Sequence, residues 1–322
     1  MKPIIFALTL GLFASTWIPN MANAQNTPIA KQHTQAPGFY RINVADMEVT
    51  ALYDGYTNIA NSKLKNISEQ DLNKLFDRMF VPHNNSVQTS INAYLINTGK
   101  NLILIDTGAA QCFGPTSGMI GQNIKAAGYR PEQIDTILLT HLHPDHACGL
   151  ANNGRAAFPN ASIYVAKQEA DFWLNQKMDK QPPEIQGLFK MAQNAVAPYV
   201  QVNKLKTFNI GDNILSEIKI VSTPGHTPGH TSFLLNSKQK SILIWGDVLH
   251  SHAVQFTQPD VAIEFDSDPK QAVLSRKKIL AQAAKDQLLV GGAHLPFPGL
   301  GHVRPEKEGY AWVPVEYTPV EK

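Results

Sequence analysis

Apolar and polar residues alternate along much of the chain with the period of two that is typical of β-strands. Tyr40, Ile42 and Val44 begin this pattern, and alternating or short apolar runs recur downstream. The further extended segments predicted are 49–52, 91–96, 102–105, 134–140, 162–165, 218–221, 231–235, 242–245 and, as the last strand, 288–290. Helical spacing predicts helices over 67–80, 116–127, 168–175, 185–197 and 269–285.

The order of these elements indicates the fold class. Strands follow one another near the two ends of the chain, whereas helices separate the strands in the middle. This order favours two β-sheets packed together, with helices covering their outer faces. No internal repeat, low-complexity segment or linker rich in Gly, Ser or Pro interrupts residues 38–322. We therefore expect one α/β catalytic domain over 38–322.

The composition is that of a globular protein without a strongly charged surface. Of the 322 residues, 43% are hydrophobic, and 28 basic residues against 26 acidic ones give a net charge of +2. No run of like charges occurs, so a nucleic-acid groove or a polybasic membrane patch is not expected. With only two cysteines, a hydrophobic core rather than a disulfide framework is expected to stabilise the chain.

The amino terminus has the pattern of a secretory signal peptide. Lys2 precedes an apolar stretch over residues 4–18, and Ala22 and Ala24 form a small-x-small cleavage pattern. We expect cleavage after Ala24, a disordered polar segment over 25–37, and a periplasmic or secreted product. No second apolar stretch is long enough to span a bilayer, so no membrane association is expected after cleavage.

The most informative stretch is a Thr-His-Leu-His-Pro-Asp-His segment directly after an apolar strand. His141 and His143 are two residues apart on an extended segment, so their side chains leave the same face and can share a metal ion. Pro144 ends the strand, which lets Asp145 and His146 turn toward a neighbouring position. The segment therefore predicts two adjacent metal sites.

Further ligand types follow the carboxyl ends of other apolar strands. His226, Asp247 and His294 each lie just past such a strand, where α/β folds usually place their active sites. Imidazole and carboxylate ligands suit zinc, and manganese, cobalt and iron are compatible with the same ligand types. His230 is expected to have a structural role rather than to be a ligand.

The order of these motifs, HxHxDH followed by Gly-His, Gly-Asp and a late His, resembles the metallo-β-lactamase superfamily. Longer segments at 112–118, 124–135, 169–174, 225–231 and 294–304 resemble the branch that contains methyl parathion hydrolase and related lactonases. The resemblance implies an αβ/βα four-layer sandwich with a metal site at one edge of the two sheets. It also implies a homodimer.

The same resemblance implies a set of ligands for two divalent metal ions. The implied ligands are His141, His143 and His226 for one ion, Asp145, His146 and His294 for the other, and Asp247 as the bridge. A hydroxide between the ions would be the nucleophile, because metal binding lowers the pKa of water. Asp145 and Asp247 are then the carboxylates assigned to catalysis, and Asp106 is expected to support a ligand without binding metal itself.

Several side chains near the predicted site are candidates for a substrate pocket. These candidates are Phe113, Trp173, Phe189, His250 and Phe265. Phosphotriesterase members of the family are expected to carry an aliphatic residue at the positions of His250 and Phe265. Both departures favour a planar carbonyl substrate, such as a lactone or an aryl ester, over a phosphotriester.

The sequence therefore predicts a metal-dependent hydrolase of small-molecule lactones or aryl esters, with hydrolysis of organophosphate triesters such as methyl parathion as a further activity. A glyoxalase II-type thioesterase and a β-lactamase stay open, because the same metal core serves both. A basic pocket for glutathione is not obvious in the sequence. From a different class, a non-catalytic zinc-binding protein stays open too, although an aspartate available to bridge leaves room for solvent.

Cys112 and Cys148 both lie on predicted loops beside the site. A small buried apolar role is favoured for Cys148. A disulfide between the two is the alternative that an oxidising compartment would allow, since the sequence fixes no distance between them.

Overall fold

Two large β-sheets form the centre of the chain in the computed structural model, which describes residues 29–176 and 178–320. The strands are β1 (Phe39–Val44), β2 (Met47–Ala60), β3 (Leu64–Lys65), β4 (Ser86–Asn97), β5 (Leu102–Ile105), β6 (Thr136–Leu138), β7 (Ala151–Asn152), β8 (Arg155–Ala156), β9 (Ser162–Ala166), β10 (Leu205–Phe208), β11 (Ile218–Ser222), β12 (Thr231–Ser237), β13 (Lys240–Ile244), β14 (Ala262–Ile263), β15 (Leu289–Gly291), β16 (Leu300–Pro305) and β17 (Tyr310–Pro314). The α-helices are α1 (Glu69–Arg78), α2 (Ile120–Ala126), α3 (Pro144–Ala147), α4 (Lys167–Trp173), α5 (Pro183–Val200) and α6 (Pro269–Lys285).

Residues 1–36 and 37–322 are separate units, and all of these strands and helices belong to the second. Residues 29–36 of the first unit contain no helix or strand. The predicted signal peptide, 1–24, lies outside the described residues, and the predicted disordered segment, 25–37, is described only from residue 29 onward. Among the described helices, none has the length and apolarity needed to cross a membrane.

The two sheets have mixed strand directions. The first has the order β1-β2-β4-β5-β6-β9-β10, and its strands from β5 to β10 run parallel. The second has the order β11-β12-β13-β15-β16-β17, in which β13 and β15 are the parallel pair. A short ribbon of β3 and β14 lies outside both sheets. The parallel strands explain the long stretches of chain between neighbours, since a parallel pair needs a crossover.

Strand β5 shows why the sheets are covered on both faces. Leu102 and Leu104 belong to a hydrophobic cluster shared with α2 and α5, whereas Ile103 and Ile105 belong to the cluster between the two sheets. A third cluster packs α6 against the second sheet. The layers are therefore helix, sheet, sheet and helix, which confirms the predicted sandwich. Full burial of each Leu or Ile contributes about 1.5–3 kcal/mol.

The predicted last strand at 288–290 is not the last one. Strand β15 occupies that place, but β16 and β17 follow it as an antiparallel pair at the edge of the second sheet. The alternation of apolar and polar residues is weak in this segment of the sequence, because Gly301 and His302 interrupt it. The Trp312 ring of β17 stacks on Phe256 at 5.6 Å between centroids, so the segment around 310–314 contributes to the core.

The helix predicted over 116–127 begins later than expected. Helix α2 starts at Ile120, because Gly118 adopts a φ of +97° and breaks the helical path. The chain ahead of α2 bonds to strand β2 instead: the Tyr56 N–H donates to the Thr116 carbonyl at 3.0 Å.

Cys112 and Cys148 form a disulfide, so the interpretation of Cys148 as a free buried residue is wrong. Two long-range backbone hydrogen bonds bring their loops together. The Thr107 N–H donates to the His146 carbonyl at 2.8 Å, and the Gly149 N–H donates to the Gly108 carbonyl at 3.0 Å. Sequence spacing alone gives no indication of this loop pairing.

Candidate metal centre

All seven predicted ligands lie in segments that follow strands, at one edge of the two sheets. His141, His143, Asp145 and His146 follow β6; His226 lies between β11 and β12; Asp247 follows β13; and His294 follows β15. Pro144 is the first residue of the short helix α3, which carries Asp145 and His146 away from the extended His141–His143 stretch. Candidate ligands from the ends of four different strands therefore meet at the same edge.

The side chains form two groups that share one member. His141, His143, His226 and Asp247 each offer a ligand atom within 4.8 Å of the others, and so do Asp145, His146, Asp247 and His294. Asp247 Oδ2 lies 3.3 Å from His226 Nε2 and 3.1 Å from His294 Nε2, and its Oδ1 lies 3.1 Å from His146 Nε2. The carboxylate that belongs to both groups is thus the one predicted to bridge.

The buried donor set fits divalent metal ions. His141 Nε2, His146 Nε2 and Asp247 Oδ1 are buried, and none has a hydrogen-bond partner. A buried polar atom without a partner costs roughly 1–3 kcal/mol, and three such atoms converge here on one place. Imidazole nitrogen and carboxylate oxygen are ligand types that zinc and related ions accept.

The electrostatics of the cluster favour ligand-competent ionisation states at His141, His143 and Asp247. Burial, together with the neighbouring imidazoles, lowers the pKa of His141 and of His143 well below the usual range, so both rings are neutral. Burial opposes ionisation of Asp247, but the surrounding imidazoles outweigh it and hold the pKa of that carboxyl well below its usual range. A metal ion requires a neutral imidazole and an ionised carboxylate. Burial opposes protonation of the other three imidazoles, but the neighbouring carboxylates outweigh it and raise the pKa of His146, of His294 and, to about 9, of His226, so a metal ion must displace a proton from these rings.

Three groups behind the cluster fix the orientation of its imidazoles. The Nδ1–H of His146 donates to Asp106 at 2.8 Å, that of His226 to Asp266 at 3.0 Å, and that of His294 to the Ser90 carbonyl at 2.9 Å. In each case Nε2 is left to face the cluster, an arrangement that raises ligand basicity. Asp106 therefore has the geometry of the supporting role expected for it. Asp266 and Ser90 were missed, because neither lies in a recognisable motif.

Both ring nitrogens of His230 are hydrogen-bonded to groups outside the two ligand sets' donor atoms, the Thr223 hydroxyl at 2.9 Å among them. Its Nδ1–H donates to the Thr223 carbonyl at 3.0 Å, and its Nε2 accepts from the Asp247 N–H, also at 3.0 Å. Burial lowers the pKa of His230 to about 3, so the ring is neutral and Nε2 can accept. His230 therefore has the structural role expected from the sequence, which is to hold the backbone that carries Asp247.

A cavity of about 160 Å³ opens beside the cluster. His294 and His250 line it, and His250 Nε2 is 3.1 Å from Asp247 Oδ2. The larger aliphatic residues in its wall are Ile59, Leu64, Val87 and Ile263. These aliphatic positions were missed, because their strands carry no motif that points to a substrate.

Of the five predicted pocket residues, only His250 lines this cavity. Phe189 is fully buried in the core against Trp173, whose own ring lies 5.3 Å from that of His143. Phe265 is 42% exposed, with its ring 6.3 Å from His250, and Phe113 lies half-buried in a turn. Phe189 is therefore a core residue rather than a wall of the cavity, because α5 packs that side chain onto the first sheet.

The two ligand groups and the fold define the class of protein. Residues 87–294 match the family model of the metallo-beta-lactamase superfamily, and the chain belongs to that superfamily. The predicted family and fold are confirmed by this match.

Solved structures and curated proteins similar to the chain include hydrolases and lactonases. A hydrolase of the beta-lactamase superfamily, AbOPH, is 44% identical with a TM-score of 0.85, over 89% of this chain and all of that one. AidC, a dizinc quorum-quenching lactonase, is 30% identical with a TM-score of 0.81, over 88% of this chain and 99% of that one. The N-acyl homoserine lactonase AiiA of Bacillus thuringiensis subsp. kurstaki is 23% identical over an alignment of 224 residues, and the match covers 62% of this chain and 79% of the relative.

These similarities and the two ligand groups show that the protein is a metal-dependent hydrolase that uses divalent metal ions. The specific resemblance to methyl parathion hydrolase stays a prediction.

Proposed function

We propose that the protein is a lactonase or aryl esterase with two metal ions, acting on substrates that carry an apolar acyl or aryl group. The observation that carries this proposal is the shared carboxylate of Asp247 beside a cavity with an aliphatic wall. An acyl chain or aryl ring would pack against Ile59, Leu64, Val87 and Ile263. The N-acyl homoserine lactonases among the similar proteins support the same substrate class.

In this proposal the seven side chains of the two groups hold the metal ions, and Asp247 is shared between them. When bound, two such ions activate water as a nucleophile near neutral pH and polarise the oxygen of the bond that is cleaved. The protein itself supplies orientation: Asp106, Asp266 and the Ser90 carbonyl fix three imidazoles. His250 presents its ring to the substrate side of Asp247.

The cavity favours a planar carbonyl over a tetrahedral phosphotriester. The rings of His250 and His294 stack at 5.0 Å with an angle of 21° between their planes, and they fill the space next to Asp247. A lactone presents a flat ester group there, whereas a phosphotriester needs room for three ester arms. No Lys or Arg is among the described residues that line the cavity, which also disfavours the anionic thioesters of glyoxalase II.

Initial rates on an N-acyl homoserine lactone, an aryl lactone and methyl parathion test the proposal. We expect the lactones to dominate, their turnover to vanish after chelation, and the turnover to return when zinc or manganese is added back. Dominant turnover of methyl parathion would overturn the substrate assignment. Turnover that survives complete removal of metal would overturn the metal centre as well.

Replacing His250 by Leu is expected to raise the ratio of methyl parathion to lactone turnover. Removing the imidazole opens space next to Asp247 for a third ester arm, and a pocket change of this size alters discrimination by about 10-fold or more. His252→Leu is the matched control, because His252 lines the same cavity but does not bond to Asp247. An equal rise in both variants, or none in His250→Leu, would contradict the steric explanation.

We also propose that the protein is exported, with cleavage after Ala24. The disulfide between Cys112 and Cys148 supports this location, because such bonds persist in oxidising compartments. Mass spectrometry of the exported protein is expected to show an amino terminus at Gln25. An unprocessed cytoplasmic chain with both cysteines reduced would contradict the proposal.

Zinc as the native metal and a homodimeric state complete the proposal. The similar lactonase AidC is a dizinc enzyme, which supports zinc, and the family resemblance supports the dimer. Metal analysis of the purified protein and light scattering measure the two properties directly.

A further inference from the structure

A buried carboxylate outside both ligand groups binds two of the loops that carry them. Glu169, in helix α4, has no exposed surface. Its Oε1 accepts from the Leu142 N–H at 3.0 Å and from the Trp173 Nε1–H at 2.7 Å. Its Oε2 accepts from the Thr227 hydroxyl at 2.7 Å and from the Gly229 N–H at 2.9 Å. All four donors point at one carboxylate, which is therefore fully hydrogen-bonded in its ionised form.

The donors lie next to the ligands of one metal ion. Leu142 stands between His141 and His143 in the sequence, and Thr227 directly follows His226. Glu169 thus accepts hydrogen bonds from the chain between His141 and His143 and from the residue that directly follows His226. The backbone that carries Asp247 and His294 gives no hydrogen bond to Glu169 in the described structure.

A third contact runs through the indole. The Trp173 ring, held by its bond to Glu169, lies 5.3 Å from the His143 ring with an angle of 74° between the planes. The edge of the indole therefore limits the rotation of His143, whose ring nitrogen Nδ1 lies 2.9 Å from Nε2 of another predicted ligand, His226. Glu169 reaches this imidazole by packing as well as through the backbone.

The loop after His226 is seated directly on helix α4. A Cβ atom added at Gly229 would lie 2.3 Å from the Glu169 nitrogen and 2.6 Å from the Glu169 Cβ. Real Cβ contacts are not this short, so glycine is required for the loop to approach the helix. This close approach is independent of the hydrogen bonds and indicates the same docking point.

We propose that Glu169 is a positioning residue that sets the geometry of His141, His143 and His226, and thereby the affinity of one metal site relative to the other. It touches neither metal ligand atoms nor the cavity, and it acts through the two loops and Trp173. The inference rests on the ligand sets proposed above. Glu169 lies behind the loops that carry these ligands, and it makes the two metal sites differ in affinity.

Glu169→Gln tests the proposal, because the amide keeps the size of the side chain. Its NH₂ group cannot accept from the Gly229 N–H, so the loop after His226 loses a bond. Metal titration of the metal-free protein, in competition with a chromophoric zinc chelator, gives the two affinities separately. We expect one ion to bind about 10–100-fold more weakly, which is the usual cost of losing a group that orients ligands. The affinity for the other ion is expected to be unchanged.

The cobalt-substituted protein gives a second readout. The visible absorption of Co²⁺ at the affected site is expected to shift in Glu169→Gln, since the band depends on ligand geometry. Asp171→Asn is the matched control: it removes a carboxylate from the same helix, but one whose partners, Lys167 and Asn175, are on the exposed surface. Wild-type affinities and spectrum are expected for this variant.

Three results would overturn the inference. These are an equal loss at both sites, unchanged affinities, and a lower melting temperature of the metal-free protein without any change in metal binding. If Glu169→Gln does not fold, Thr227→Val removes one donor only and is expected to weaken the same site severalfold; unchanged affinity there would also overturn it. A wild-type protein that binds fewer than two ions would instead refute the ligand sets themselves, which distinguishes the two failures.

Discussion

Replacing Asp247 by Ala is expected to remove both metal ions and nearly all hydrolysis. Asp247 is the only residue that belongs to both ligand groups among those described. Its loss also leaves the imidazoles of His146 and His294 without the carboxylate that lies 3.1 Å from each. Loss of a group that only orients a metal ligand costs about 10–100-fold, so for a ligand shared by both groups we expect kcat/KM to fall by about 10³-fold or more. Metal analysis and initial rates on a lactone measure the two effects.

Asp145→Ala is the matched comparison, because Asp145 belongs to one group only. We expect this variant to lose one ion, keep the other, and retain less than a tenth of the wild-type turnover. Asp247→Asn separates charge from shape, since it keeps the size of the side chain and removes the negative charge of the carboxylate that both groups share. Two bound ions per chain and full turnover in Asp247→Ala would rule out the bridging role.

The ligand cluster could be predicted because four of its residues lie within six positions of one another in the sequence, and each of the others lies just past an apolar strand. His141 and His143 are two apart on extended backbone, Pro144 turns the chain, and Asp145 and His146 follow at once. The remaining ligands lie just after apolar strands, where loops converge at the edge of a sheet. The layers could be predicted for a similar reason: a strand that is apolar at every position, such as β5, must be covered on both faces.

The groups that orient the ligands could not be predicted, since they are distant in sequence. Glu169 accepts from Leu142, which is 27 residues away, and from Thr227, which is 58 residues away. Asp266 is 40 residues from His226. Neither carboxylate has a spacing that distinguishes it from a solvated acidic residue. Only the packed structure reveals that both are buried and bonded to ligand-bearing loops.

The aliphatic wall of the cavity could not be predicted for a different reason. Aromatic residues near the motifs were the natural candidates, but an aromatic side chain serves a core as well as a pocket. Phe189 serves the core, whereas the aliphatic residues Leu64 and Ile263, paired across the β3–β14 ribbon, line the cavity. Aliphatic residues in short strands look the same in the sequence whether they face a core or a substrate.

Removing the disulfide is expected to have the largest effect on stability without removing a metal ligand. The bond joins residues 36 apart in the sequence, and the loop that it closes contains His141, His143 and the residues of α3. Closing a loop of this length restricts the unfolded chain, which stabilises the fold by about 2–4 kcal/mol. The double replacement of Cys112 and Cys148 by Ser should therefore lower the free energy of unfolding by that amount.

Denaturant unfolding of the metal-free protein measures this loss, because bound metal adds stability of its own. Wild-type protein treated with a reductant is the matched control and should unfold at the same denaturant concentration as the double Ser variant. Two equivalents of metal should still bind to the folded variant, since the imidazoles keep their partners Asp106 and Asp266. Equal unfolding midpoints for the oxidised protein and the variant would show that closing this loop does not stabilise the fold.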